Sequence, residues 1–222
     1  MKTYAYIILF SCLLLFQSCF EIVETVFLNT DGSGNFQLVL NLSKSKTKLN
    51  SIIKMKTING HNVPSKEEIK EKIASIEKTA AKTPGISNVK ATVDFNNYIA
   101  TINFNFTQVN RINDVVKNVY IKEGGKGKVP EKIYDYTPGS KTFKRMNPYS
   151  FKDEYKKLSN ADKEIFATAN YTAIFKFEAS VTGASNKSTK IAPSNKATML
   201  KLNALDVATE KKSIENKITL TN

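Results

Sequence analysis

From Glu21 onward, apolar and polar positions alternate with period two: Ile22, Val26 and Leu28 fall on one face and Val23, Thr25 and Phe27 on the other. Apolar residues on both faces predict a strand covered at least partly on both sides. The run NTDGSGN follows, and Phe36, Leu38, Leu40 and Leu42 then alternate with Gln37, Val39 and Asn41. Two alternating runs about a glycine-rich turn predict a β-hairpin. A second hairpin is predicted between 89 and 107. Val89, Ala91, Val93 and Phe95 lead into a two-residue turn at Asn96 and Asn97, and Tyr98, Ala100, Ile102, Phe104 and Phe106 return along one face. The opposite positions, Ile99, Thr101, Asn103, Asn105 and Thr107, are mostly polar. A sheet with one wet and one dry face predicts antiparallel pairing with helices on one side.

Helical spacing appears between and after these hairpins. Pro64 precedes Ser65, and Glu68 stands three residues after Ser65, where the two side chains can each satisfy a free amide of a helix start. Ile69, Ile73, Ile76 and Ala80 then form one stripe, Glu68 and Lys72 pair across a turn, and TPG at 83–85 ends the helix. A second helix is predicted from Arg111 to Tyr120 with Ile112, Val115, Val116 and Val119 inward. KEGGKGKVPEK, 122–132, interrupts both periodicities and reads as a mobile loop or a boundary between lobes. Beyond it lie a hairpin turned at Pro138 and Gly139, a helical stretch over 150–169 with a break near Ser159 and Asn160, and a strand YTAIFKFEA. A polar run VTGASNKSTKIAPSNK and strands at ATMLKLNAL and NKITLT complete the chain. The pattern predicts an α+β fold, an antiparallel sheet built of β-hairpins with two to three helices packed on one side.

The first 18 residues, MKTYAYIILFSCLLLFQS, have a different pattern. An early Lys2, an uncharged run from Tyr4 to Phe16 and small or polar residues before Cys19 are the parts of an export signal, and the run is short for a membrane span. Cys12 and Cys19 both follow a serine. Cleavage at Cys12 would leave an apolar run of only about seven residues, so Cys19 is the predicted processing and lipid attachment point. No cysteine follows Cys19, so an exported form has no internal disulfide and no thiol for catalysis or zinc. The expected organisation is a signal peptide at 1–18 and one envelope domain at 19–222, with two lobes joined near 122–132 as the alternative division.

Composition adds a charge bias. The 222 residues include 33 Lys plus Arg against 20 Asp plus Glu, a net charge of +13, or +12 once Lys2 leaves with the leader. This favours anionic surroundings, although the lysines are spread along most of the chain. With one histidine, His61, neither a catalytic triad nor a histidine-rich metal centre can be assembled, so no catalytic residue, metal ligand or cofactor is assigned. NTDGSGNF fits half of a calcium loop but has Leu40 where the bidentate Glu belongs, and it reads as a turn. GGKGK lacks the spacing of a nucleotide loop. Asp94, Asp135, Asp153, Glu154 and Asp162 leave a carboxylate-dependent hydrolase as the alternative function. Aromatics interleave with cations over 134–151, and Tyr134, Tyr136, Lys141, Lys144 and Arg145 are the candidate contacts for an amphiphile or an acidic glycan.

The box LFQSC ending at Cys19, followed by a hairpin carrying DGSG at 31–34 and then a helix, resembles bacterial lipoproteins of the Bacteroidetes type and, more distantly, the mycobacterial LppM-type lipoproteins. Phe16 and Gln17 depart from the stricter form of that box. The resemblance implies a lipidated Cys19 and a domain anchored to the inner or outer membrane of a bacterial envelope. Its partner would be a lipid, a glycan or another envelope protein, and nucleic acid is not expected. No other functional residue is carried over.

Overall fold

The computed structural model describes residues 20–58, 60–125 and 131–221. Cys19 and the leader lie outside the described residues, as does KGKVP at 126–130. The first alternating runs are strands β1 (Glu21–Leu28) and β2 (Gly34–Asn41), paired antiparallel through every residue. Gly34 is required at the turn, because a β-carbon there would sit 1.9 Å from the Phe27 carbonyl oxygen. The Asp31 carboxylate accepts from the Ser33 amide and hydroxyl within the same turn, which holds its pKa below the ordinary value.

A 3-10 turn at Ser43–Ser45 leads into α1 (Lys46–Ile52), and the two-residue strands β3 (Thr57–Ile58) and β4 (His61–Asn62) form a small hairpin. Helix α2 (Lys66–Ala81) starts with the capping box expected at Ser65 and Glu68. Strands β5 (Ile86–Asp94) and β6 (Ile99–Phe106) form the second hairpin, and α3 (Arg111–Lys122) follows with Ile112 and Val115 buried. The β5–β6 turn spans four residues, not two: Asp94 accepts from the amides of Asn96 and Asn97, and Tyr98 takes the positive φ of 55°. Next come β7 (Tyr134–Asp135), β8 (Thr142–Arg145), α4 (Lys152–Lys157) and α5 (Asn160–Ala167), the last two separated where Ser159 caps α5. The chain closes through β9 (Asn170–Phe177), β10 (Val181–Ala184), β11 (Thr189–Ile191), β12 (Ala197–Asn203), α6 (Ala204–Ala208) and β13 (Asn216–Leu220).

The α+β expectation holds, and its details change. The described residues contain six α-helices, not two to three. Seven strands form one sheet in the order β11-β12-β9-β1-β2-β6-β5, and four form another in the order β10-β13-β8-β7. The large sheet is not wholly antiparallel, because β1 and β9 run parallel from Glu21↔Asn170 to Leu28↔Phe177. The polar run after β9, to which the pattern assigns no strand, contributes β10 and β11.

The dry face of the large sheet meets the small sheet and the helices. Phe143 of β8 is fully buried, with its ring centroid 5.0 Å from that of Phe175 and 5.5 Å from that of Phe177. Phe36 stacks on Phe104 at 4.9 Å and meets Tyr134 edge-on at 6.2 Å. These ring geometries place β7 and β8 directly over β2, β6 and β9. The other face carries Val23, Phe27, Val39 and Ile174, none of them buried.

Candidate functional site

The register places six residues in one row at one end of the large sheet: Asn203, Asn170, Glu21, Asn41, Ile99 and Asp94. Here α1 folds back over the tips of β2, β5 and β6. The Leu42 amide donates to the Tyr98 carbonyl, and the Tyr98 hydroxyl donates to Asn50 of α1 at 2.6 Å. The Val63 amide donates to the Lys56 carbonyl, which closes the segment between α1 and α2.

A pocket of about 340 Å³ lies beneath that segment. Leu42, Leu49, Ile52 and Ile53 line one side, and Leu40, Val93, Phe95, Tyr98, Ile99 and Ala100 form the sheet side. Val63, Pro64, Ile69 and Ile73 complete the wall from the α2 side. The one polar atom among these side chains, the Tyr98 hydroxyl, is already bonded to Asn50. None of the fourteen belongs to the main hydrophobic cluster around Phe143. Apolar side chains that surround open space forgo the dispersion contacts a filled core would supply. An apolar cavity of this kind suits an apolar ligand, and its volume falls within the small-ligand range of about 300–1,000 Å³.

Cations edge this pocket. From Ser43 to Lys66 the chain carries six lysines and no acid. The ammonium groups of Lys66 and Lys70 lie 5.4 and 5.8 Å from the ring centroid of Phe95, a pocket residue. Lys46 acts electrostatically on Asp94, whose carboxyl is held low mainly by hydrogen bonds from the Asn97 side chain and the Asn96 amide. An apolar interior with an ammonium rim is the complement of an amphiphile with an anionic head.

The residues expected from sequence occupy other places. Arg145 is buried and makes a two-pronged ion pair with Glu24 of β1, Nε to Oε1 at 2.9 Å and Nη2 to Oε2 at 3.1 Å. The Tyr171 hydroxyl donates to the same carboxylate at 2.9 Å, and the Tyr134 ring lies 5.1 Å from the guanidinium carbon. Burial by itself would raise the Glu24 pKa, but the Arg145 charge and the hydrogen bonds outweigh it and hold the carboxyl low. Burial and the Glu24 charge push the hydroxyls of Tyr134 and Tyr171 up. The group links the two sheets across the core.

Tyr136 donates to the Thr30 carbonyl, Lys144 pairs with Asp135 at 2.8 Å, and Lys141 is exposed. Only Tyr134 and Tyr136 of the five reach the cleft between α3 and β7, a cavity of about 530 Å³. Polar groups of that cleft are bonded within the protein: Asn113 accepts from the Ile133 and Tyr134 amides, Asn110 accepts from the Tyr136 amide, and Arg111 pairs with Asp114. Cys19 lies outside the described residues. The five acids considered for hydrolysis are engaged separately. Asp94 caps its turn, Asp135 meets Lys144, Asp153 meets Lys156, Glu154 accepts from Tyr149, and Asp162 accepts from the hydroxyl of Ser159, the α5 cap. His61 lies 3.6 Å from Asp162. Among the described residues no three His, Cys, Asp or Glu side chains are grouped to hold a metal.

Sequence reasoning missed the pocket as a site. Its signal was the lysine-only stretch beside the apolar ends of two hairpins, and nothing in the periodicity says whether the space between such ends is filled. No family model and no curated protein matches the chain. Among solved structures, the NMR structure of the folded domain of LppM from Mycobacterium tuberculosis is similar, with a TM-score of 0.43 and 9% identity over 92% of this chain and 89% of that chain.

Proposed function

We propose that this chain is an envelope-anchored binding module, held at the membrane by a lipid on Cys19, whose pocket takes one acyl chain of an anionic amphiphile. The observation that carries the reading is the 340 Å³ apolar space that the main core leaves out, edged by lysines. Each methylene transferred from water into such a site contributes about 0.8 kcal/mol, so a medium-length chain supplies most of the affinity. The ammonium groups of Lys46, Lys66 and Lys70 then select for the charge of the head.

Laurate titrated into the protein tests the pocket. Binding should be saturable at one laurate per chain and should be lost in Leu49→Trp, which fills the space from the α1 side. Dodecanol, with the same chain and no charge, should bind more weakly. Equal binding of laurate by Leu49→Trp would defeat the reading. The anchor is tested separately by mass spectrometry of the mature N-terminus with and without Cys19→Ala. A terminus cut elsewhere and carrying no lipid would remove the envelope anchor.

A further inference from the structure

The end of the sheet that holds the pocket is also the end at which the chain enters the fold. Phe20 precedes Glu21 in the end row, its carbonyl accepts from the Asn170 amide, and its ring meets Phe166 of α5 edge-on at 6.1 Å. Helices α4 and α5 sit at this end as well. The Ala167 carbonyl accepts from Asn203, and a 3.6 Å contact of His61 with Asp162 joins α5 to the β3–β4 hairpin beside α1. Neither α4 nor α5 contains a buried residue.

Two properties coincide on this end. The first is charge: the stretch from Ser43 to Lys66 carries six lysines with no acid between them. The second is exposed apolar surface. Met55 is 49% exposed, Tyr149 44%, Ile165 37%, and Leu40 and Phe151 36% each, five of the eight large apolar side chains found exposed in the described residues. Helices α4 and α5 are balanced in charge, with Lys152, Lys156, Lys157 and Lys163 against four acids, so they bring apolar and aromatic side chains and no net attraction.

We infer that this end of the large sheet is a docking face for an anionic lipid bilayer. The lysines of the Ser43–Lys66 stretch supply the attraction to the headgroups, and Met55, Phe151 and Ile165 enter the interface. Lysines near an anionic surface each contribute about 1 kcal/mol, an effect that fades within a Debye length, so only cations on the facing side count. Amphipathic aromatics such as Tyr149 favour the same boundary. The inference deepens the reading of an anchored amphiphile module and rests on it: the chain's entry point, the cations and the pocket share one end, so an acyl chain can pass from bilayer to pocket without crossing open water.

Sedimentation with vesicles tests this, using residues 20–222, which retain every strand, helix and core residue described. Vesicles of phosphatidylcholine with phosphatidylglycerol should bind the protein about tenfold or more tightly than phosphatidylcholine alone. Lys44→Glu/Lys48→Glu/Lys54→Glu should lower binding by about tenfold or more, and Phe151→Ser/Ile165→Ser should lower it several-fold. Lys176→Glu/Lys187→Glu/Lys190→Glu changes net charge equally away from this face and should bind like the parent. Circular dichroism melting confirms that each variant is folded. The inference is overturned if the parent shows no preference for phosphatidylglycerol, or if the second triple variant loses as much as the first. This chain lacks Cys19, so a failed anchor leaves the result unaffected. Docking is read with vesicles and the pocket with laurate, so either can fail without the other.

Discussion

Two apolar regions of this molecule are built from the same residue types and reach opposite ends. Around Phe143, rings from both sheets close to centroid distances of 4.9 to 6.2 Å, and a buried ion pair is bonded across the gap. At the tips of β2, β5 and β6, fourteen residues, chiefly leucines and isoleucines with one phenylalanine, surround open space. The difference lies in what covers each sheet half. The small sheet lays strands and their rings flat on β1, β2 and β9, whereas the short helix α1 bridges the tips and leaves a gap behind it. Apolar content alone therefore does not mark a core; completeness of cover does.

The comparison implies a graded set of mutational effects. Phe143→Ala should cost about 3–5 kcal/mol, read by denaturant unfolding, since it opens a void among the rings of Tyr134, Phe175 and Phe177. Glu24→Gln should cost about 3–5 kcal/mol, because it leaves the Arg145 charge buried without its partner. Replacing both Glu24 and Arg145 by Met should cost less than Glu24→Gln. The Glu24 carboxyl titrates below its ordinary 4.5 in the folded protein. Its contribution is therefore complete above pH 4.5 and is lost as pH falls through the lower folded value. Acid unfolding of the parent should show this loss, and the Met pair should lack it.

Smaller effects belong to the open region. Ser65→Ala removes the α2 cap and should cost about 1 kcal/mol in the same unfolding assay. Ile73→Ala, in the half-exposed pocket wall, should cost clearly less than Phe143→Ala, about 1–2 kcal/mol, because less packing is lost. A cost equal to that of Phe143→Ala would show that the wall is packed as tightly as the core and would remove the contrast. Leu49→Trp should be the smallest, changing stability by about 1 kcal/mol or less, since it enters existing space.

Local pattern made much of this fold legible. The alternation from Glu21 to Asn41, the capping box of Ser65 and Glu68 and the stripe of Ile112 and Val115 each report a face or a helix end through neighbouring residues. The parallel pairing of β1 with β9 joins Glu21 to Asn170, and no local spacing encodes it. Strands β10 and β11 were hidden because they are only VTGA and TKI, too short to show alternation and set in a polar run, and long-range pairing supplies the order that propensity does not. Glu24 stood at an inward position of an alternating strand, which was the available sign of a buried acid. Its partner Arg145, 121 residues away, was read as a ligand contact because sequence gives a cation no address. The pocket is illegible for a related reason: hydrophobicity specifies which side chains turn inward, and the volume left between them depends on how α1 crosses the strand tips.

The most direct test of the central claim is native mass spectrometry of the protein purified from its producing cells in mild detergent. The account predicts one non-covalent amphiphile per chain in the parent and none in Leu49→Trp. An empty parent, or the same adduct on both proteins, would contradict it.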